Sequence, residues 1–322
     1  MTVSPASKHP ARIRRCILLA LCLALSVTSS QASAQVARRN VALASKLQKI
    51  IAASGAETVA VAFRDLATGR ELSVNDRVSF HAASTMKVPV MMELFRQSRD
   101  GNLSLDRRVA VKNDFKSIAD GSRFTVSPAD DSEGTLYKKI GGTESVRELM
   151  RLMITESSNL ATNLLIELVT PERVMKSMRE YGARDIRVLR GVEDGKAFER
   201  GLNNTTTARD LLILLRRIAE NRAVSRAASE EMMRILLAQK FNEGIPAGLP
   251  AVARVAHKTG SITKINHDAA IVFLPGRRSP YVLVILTRGL ADEGRAHRLI
   301  ADISRAVYED ITDDISDGKR TP

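Results

Sequence analysis

Ser84 and Lys87 stand three residues apart at the start of an apolar run, in the segment HAASTMKVPVMMELF (81–95). Helical neighbours at that spacing share a face, so the hydroxyl and the amine point the same way. A serine hydroxyl becomes a useful nucleophile only when a neighbouring base takes its proton. A lysine can be that base only when neutral, and burial beside Val88-Pro89-Val90 would favour the neutral amine. The plainer alternative is a helix-capping serine beside a lysine whose stem crosses apolar surface.

S-x-x-K by itself says little, since Ser84/Lys87, Ser261/Lys264 and Ser316/Lys319 all fit it. S-x-N occurs at Ser73–Asn75 within a strand-like run and at Ser157-Ser158-Asn159 between two helical runs. K-T-G occurs once, at Lys258–Gly260, at the end of a strand-like run. The ordered set carries the weight: S-x-x-K at a helix start, S-x-N between helices, K-T-G on a late strand. One by one, the same residues are ordinary caps and turns.

STMK (84–87), SSN (157–159) and KTGS (258–261) resemble the three motifs of class A β-lactamases and penicillin-binding proteins. ITESSNLATNLLIE, NNTTTARDL and AHKTGS are similar to class A-related serine hydrolases, and the resemblance covers about residues 40–312. It implies a nucleophile at Ser84 and a base at Lys87, whose pKa burial and the Lys258 charge would lower. Ser157 would relay the proton to the leaving nitrogen, and Asn159 would hold the substrate amide. Lys258, Thr259, Gly260 and Ser261 would bind the substrate carboxylate. The backbone N–H groups of Ser84 and Ser261 would form an oxyanion hole. His267 falls where some members place a carboxylate-binding arginine; the alternative for it, as for His81, is a packed histidine.

Two departures stand out. The family usually has Asp in the middle of the second motif, where this chain has Ser158. The deacylating glutamate is expected about 34 residues after Asn159, which selects Glu193, with Arg190 before it. The local pattern E-x-x-L-N instead selects Glu199–Asn203. Spacing favours Glu193 and is preferred here. That carboxylate separates a β-lactamase, which hydrolyses its acyl-enzyme, from a D-alanyl-D-alanine peptidase acting on peptidoglycan stem peptides. An inactive binding homologue is the third possibility.

Other chemistries find little support. The five histidines show no metal-ligand spacing, and neither a G-x-S-x-G elbow nor a phosphate loop occurs, so no metal and no cofactor is expected. Residues 1–34 read as a secretory signal peptide: Lys8, Arg12, Arg14 and Arg15, then an apolar run (16–27), then Ala32-Ser33-Ala34. The expected product is exported, periplasmic or secreted, with no stable membrane anchor, and monomeric. Cys16 and Cys22 both lie in that leader, which leaves no thiol for disulfides, catalysis or metal. Removing four positive side chains from the net +13 leaves +9. Scattered arginines without interleaved aromatics argue against nucleic acid.

The elements that must position these residues follow from periodicity. Helical spacing marks 40–53, the run from Ser84, 145–155, 160–169, 207–221, 227–239 and 291–311. Strand-like runs fall at 57–75 (two, joined at Ala67-Thr68-Gly69) and in AVARVAHKTG, HDAAIVFLPG and YVLVILTRG. A polar, turn-rich connection fills 113–142. The order predicts a mixed α+β, two-lobed fold with a five-stranded antiparallel sheet flanked by helices. The sheet lobe would comprise 35–83 and 213–312, the all-helical lobe 84–212, and 313–322 a frayed tail.

Overall fold

The computed structural model describes residues 37–318; the expected signal peptide lies outside them. Helix α1 (37–54) leads into strands β1 (Thr58–Asp65) and β2 (Glu71–Val74), and late in the chain come β3 (Arg254–Ile262), β4 (Ile265–Phe273) and β5 (Tyr281–Arg288). They form the single five-stranded antiparallel sheet that the sequence predicts, in the order β2-β1-β5-β4-β3.

Alternation along the strands divides two cores. On β1, Val59, Val61 and Phe63 face one way, and Ala60 and Ala62 the other. The first set meets Leu43 and Leu47 of α1 and the seam Ala296, Leu299, Ile300, Ile303, Val307 and Ile311. Those six belong to helix α9 (Glu293–Gly318), and their three- and four-residue spacing is a helix stripe. The helix continues past 311 because no breaker intervenes before Gly318, so 313–318 is helical where a frayed tail is expected.

The other sheet face packs on helices from the middle of the chain. A 3₁₀ turn (Ala83–Met86) enters α2 (Lys87–Arg99), followed by α3 (Val146–Thr155), α4 (Asn159–Val169), α5 (Pro171–Tyr181), α6 (Gly195–Glu199), α7 (Ala208–Ala219) and α8 (Arg226–Leu237). Residues 87–95 of α2 are all buried, which makes it the central helix of this side. Helix α7 packs on β1, β4 and β5. Helix α3 opens with an N-cap, since the Ser145 side chain accepts from the N–H of Glu148 three residues on. Helix α5 is missing from the elements read in the sequence, although Val174, Met178 and Tyr181 recur at helical spacing. Its ends are punctuated as well: Pro171 in its first turn and Gly182, at φ 96°, just past its end.

The connection 113–142 contains paired two-residue strands at Phe115–Lys116 and Arg123–Phe124 and a 3₁₀ turn at Leu136–Lys139. It carries Asp130 and Ser132 to the wall of the cleft described next.

Candidate active site

Ser84 sits in the 3₁₀ turn before α2, one step earlier than a true helix start. In a 3₁₀ turn residues three apart eclipse one another, so Ser84 and Lys87 still share a direction. Ala83, just before Ser84, is held at φ 45°, and its N–H donates to His81 Nδ1 at 3.1 Å. Such a conformation costs a non-glycine residue roughly 1–3 kcal/mol and persists where surroundings enforce it. Burial and the charge of Arg190 lower the His81 pKa to about 4. The ring is therefore neutral and can accept that bond.

β3 closes against this turn. A Cβ on Gly260 would stand 3.0 Å from Ser84 N and 3.1 Å from Thr85 N, which only glycine avoids. The K-T-G motif lies inside β3 and not at its end, because Gly260 and Ser261 pair on to His267 and Asn266. The backbone of Ser261 is thereby fixed beside the serine turn.

Lys87 is fully buried, and burial lowers its pKa from 10.5 to about 7, opposed by the carboxylates of Asp131 and Glu193. Burial, and not the expected charge of Lys258, is what brings the amine to neutrality. Its Nζ donates to Ser157 O at 2.6 Å, Ser157 Oγ at 3.1 Å and Asn159 Oδ1 at 3.1 Å. The first two motifs are thus one hydrogen-bonded cluster, 70 residues apart in the chain. Lys258 is also fully buried; burial and the Lys87 charge hold its pKa well below the usual ammonium range, against the pull of Asp268. Its Nζ donates to Thr259 O at 2.9 Å.

Ser157 has φ 59°, the second enforced conformation in the site. Ser158 is buried as the N-cap of α4 and accepts from Ala161 N. Asn159, the first residue of α4, donates from Nδ2 to Glu193 Oε1 at 2.8 Å. The other Glu193 oxygen accepts from Ser127 N at 2.8 Å. Burial raises the Glu193 pKa, an effect opposed by those two bonds.

Ser84, Ser157, Asn159, Glu193, Thr259, Gly260 and Ser261 line one cleft of about 560 Å³, a size that suits a small molecule. Glu199, the alternative glutamate, is exposed at the end of α6 and is not on the cleft wall. Glu193 reaches the wall because Asn163 on α4 grips the residue before it: Val192 N donates to Asn163 Oδ1 at 2.6 Å, and Asn163 Nδ2 to Val192 O at 3.0 Å.

His267 is a correction. On β4 it is buried to 2 % exposure, edge-on against Phe80, with Nε2 donating to His81 O and Nδ1 accepting from the N–H of Thr287, and it does not reach the cleft. Burial drives its pKa to about 4, so it offers no positive charge to a substrate carboxylate. A carboxylate stands at this end of the cleft instead. Glu293, the first residue of α9, accepts from Ser261 Oγ at 2.8 Å. Glu293 and Asp131 are the site residues that motif spacing misses, since each comes from a segment with no motif of its own. Among the described residues no group of three His, Cys, Asp or Glu side chains is arranged to hold a metal.

A model of the beta-lactamase enzyme family matches residues 42–311 of this chain. A beta-lactamase of Streptomyces fradiae is 28% identical over 254 residues, 77% of this chain and 80% of the relative. Among solved structures, an ancestral class A beta-lactamase superposes with a TM-score of 0.72 at 27% identity, covering 83% of this chain and 99% of that one. A variant of PBP-A, solved as an acyl-enzyme complex with penicillin G, gives 0.73 at 26% identity over 85% and 97%.

Proposed function

The chain belongs to the beta-lactamase enzyme family, and from that premise we propose that it is a serine hydrolase that opens β-lactam amides through an acyl-serine intermediate at Ser84. The observation that carries this is the shared cleft: nucleophile, buried near-neutral lysine and a separate carboxylate line or adjoin one cavity.

Ser84 Oγ attacks the lactam carbonyl carbon while its proton passes to the neutral amine of Lys87. The oxyanion that forms is held by the N–H groups of Ser84 and Ser261, donors already in place before reaction. The C–N bond then breaks as Ser157, bonded to Lys87, hands a proton to the nitrogen. Asn159 holds the substrate amide, and the Thr259–Ser261 strand aligns the substrate. Glu193 then takes a proton from water, and the hydroxide cleaves the Ser84 ester. Its raised pKa makes it a stronger base than an ordinary carboxylate.

A second possibility, a peptidase that β-lactams merely acylate, is favoured by the likeness to PBP-A and by Ala197 four residues after Glu193. The deciding experiment mixes protein with a chromogenic cephalosporin and records the intact mass. Catalytic turnover supports the β-lactamase; a stoichiometric adduct on Ser84 without turnover supports the peptidase; no reaction removes both.

The proposal includes export by the 1–34 leader, a soluble monomer, and a cleft where the sheet side (35–83 and 213–312) meets the helical side (84–212). Cleavage after Ala34, read by N-terminal sequencing of the secreted product, tests the first.

A further inference from the structure

Asp131 lies in the 113–142 connection, 28 residues before the helix it serves. Its Oδ2 accepts from the N–H groups of Asn159 and Leu160, both at 2.9 Å, from the Tyr137 phenol at 2.9 Å and from Ser158 Oγ at 3.3 Å. Its Oδ1 accepts from Glu133 N at 3.1 Å. The first N–H groups of a helix have no partner within the helix, and its positive end favours an anion there. The carboxylate therefore seals the start of α4 from outside, beside the Ser158 cap that takes Ala161 N.

We propose that Asp131 is a positioning residue of the active site: a carboxylate clip from a distant loop that holds Ser157 and Asn159 in register with Lys87. On the resemblance to class A enzymes, whose second motif usually has Asp where this chain has Ser158, it stands in for that aspartate. The SSN segment is gripped from two sides. Lys87 pulls on Ser157 O and Asn159 Oδ1, and Asp131 pulls on the N–H groups of Asn159 and Leu160. Ser157 between them holds φ 59°, a conformation that needs such enforcement. The clip also ties the 127–135 stretch, and with it the cleft-lining Asp130 and Ser132, to the catalytic helix start.

A second consequence is electrostatic. The charged groups facing Lys87 are Asp131, Glu193 and, from β3, Lys258. The charge of Asp131 favours the ammonium form of Lys87, so removing it makes the amine easier to deprotonate.

The test compares wild type, Asp131→Asn, Asp131→Ala and the double variant Asp131→Ala/Ser158→Asp. Amide hydrogen exchange across 158–161 needs no substrate. Turnover of a chromogenic cephalosporin as a function of pH rests on the hydrolase function proposed above. Asp131→Ala is expected to speed exchange at Asn159 and Leu160 and to lower kcat/KM at least tenfold. In Asp131→Asn, which keeps size and one acceptor, the acidic edge of the kcat/KM profile moves to lower pH. Ser158→Asp in the Asp131→Ala background restores most of both losses, which a merely structural role for the loop would not permit. Unchanged exchange at 158–161, or a pH edge that stays in place with no rescue by Ser158→Asp, overturns the clip. If wild type shows no turnover, the hydrolase function fails while the exchange comparison still decides the clip.

Discussion

The two walls of the cleft are held by different means. The β3 wall, with Thr259, Gly260 and Ser261, is fixed by a continuous backbone ladder to β4, nine paired positions from Arg254 to Ile262. The opposite wall, with Asp130, Ser132 and Glu193, is loop. There, Asx side chains stand in for the ladder, three of them buried and Asp131 half-buried. Asp194 takes Ser117 Oγ and the N–H of Ile118 and Ala197; Asn204 takes the N–H of Leu189 and Arg190; Asn163 grips both polar groups of Val192; Asp131 grips α4. A ladder spreads its load over many equivalent bonds. A loop wall concentrates it in a few side chains, so one substitution there can move a catalytic group.

The largest effect tests the chemistry that both walls serve. Ser84→Ala should lower kcat by about 10⁶-fold and leave no covalent adduct by intact mass, as for a nucleophile acting in concert with its base. On the loop wall, Glu193→Gln should keep acylation fast and slow deacylation by roughly 10²–10⁴-fold, the usual worth of general-base catalysis. The acyl-enzyme would then accumulate in the mass spectrum. Glu199→Gln should leave both steps unchanged, and a trapped adduct in that variant instead would reverse the assignment.

Two substitutions then compare the walls directly. Gly260→Ala places a methyl against Ser84 N and Thr85 N and should cost on the order of 10²-fold in kcat/KM, a misplacement effect, with little change in Tm. Asn163→Ala removes the partner of the half-buried Val192 N–H and C=O, at most about 1–3 kcal/mol for each, and should lower Tm as well as deacylation. Equal Tm losses for the two variants would remove the contrast.

pH gives a finer measure. Lys87 must be neutral to act as base, and its pKa is lowered to about 7, so kcat/KM should fall as pH drops through about 7. Protonation of Glu193, whose pKa is raised, works in the same direction. A profile flat from pH 8 to pH 5 would remove Lys87 as the base. The smallest effect is expected at the rim. Glu293→Gln deletes an exposed negative charge bonded to Ser261 and should lower KM for carboxylate-bearing substrates by a few-fold, less at high salt.

Much of this was legible in the sequence because it is local and periodic. The unbroken apolar run VAVAF in β1, buried on both faces, and the three- and four-residue stripe of α9 mark a covered sheet and its flanking helix. STMK, SSN and KTGS each lie in adjacent residues, so their types and order survive without knowledge of the fold. The spacing from Asn159 also selects Glu193, the carboxylate found in the cleft. Helix α5 was missed although Val174, Met178 and Tyr181 recur at helical spacing and Pro171 and Gly182 mark its ends.

Tertiary structure decided the rest. Whether His267 faces the cleft or the core depends on β4 register and on the Phe80 ring across from it, and burial there removes its charge. That Lys87 is near neutral depends on its complete enclosure by the helical side of the fold. The carboxylates of Asp131 and Glu293 enter the site through side-chain bonds to segments about 28 and 32 residues away, three bonds for Asp131 and one for Glu293. Such bonds leave no period in the chain. A sequence records which faces must be buried, whereas the partner of one polar side chain exists only after the loops have closed.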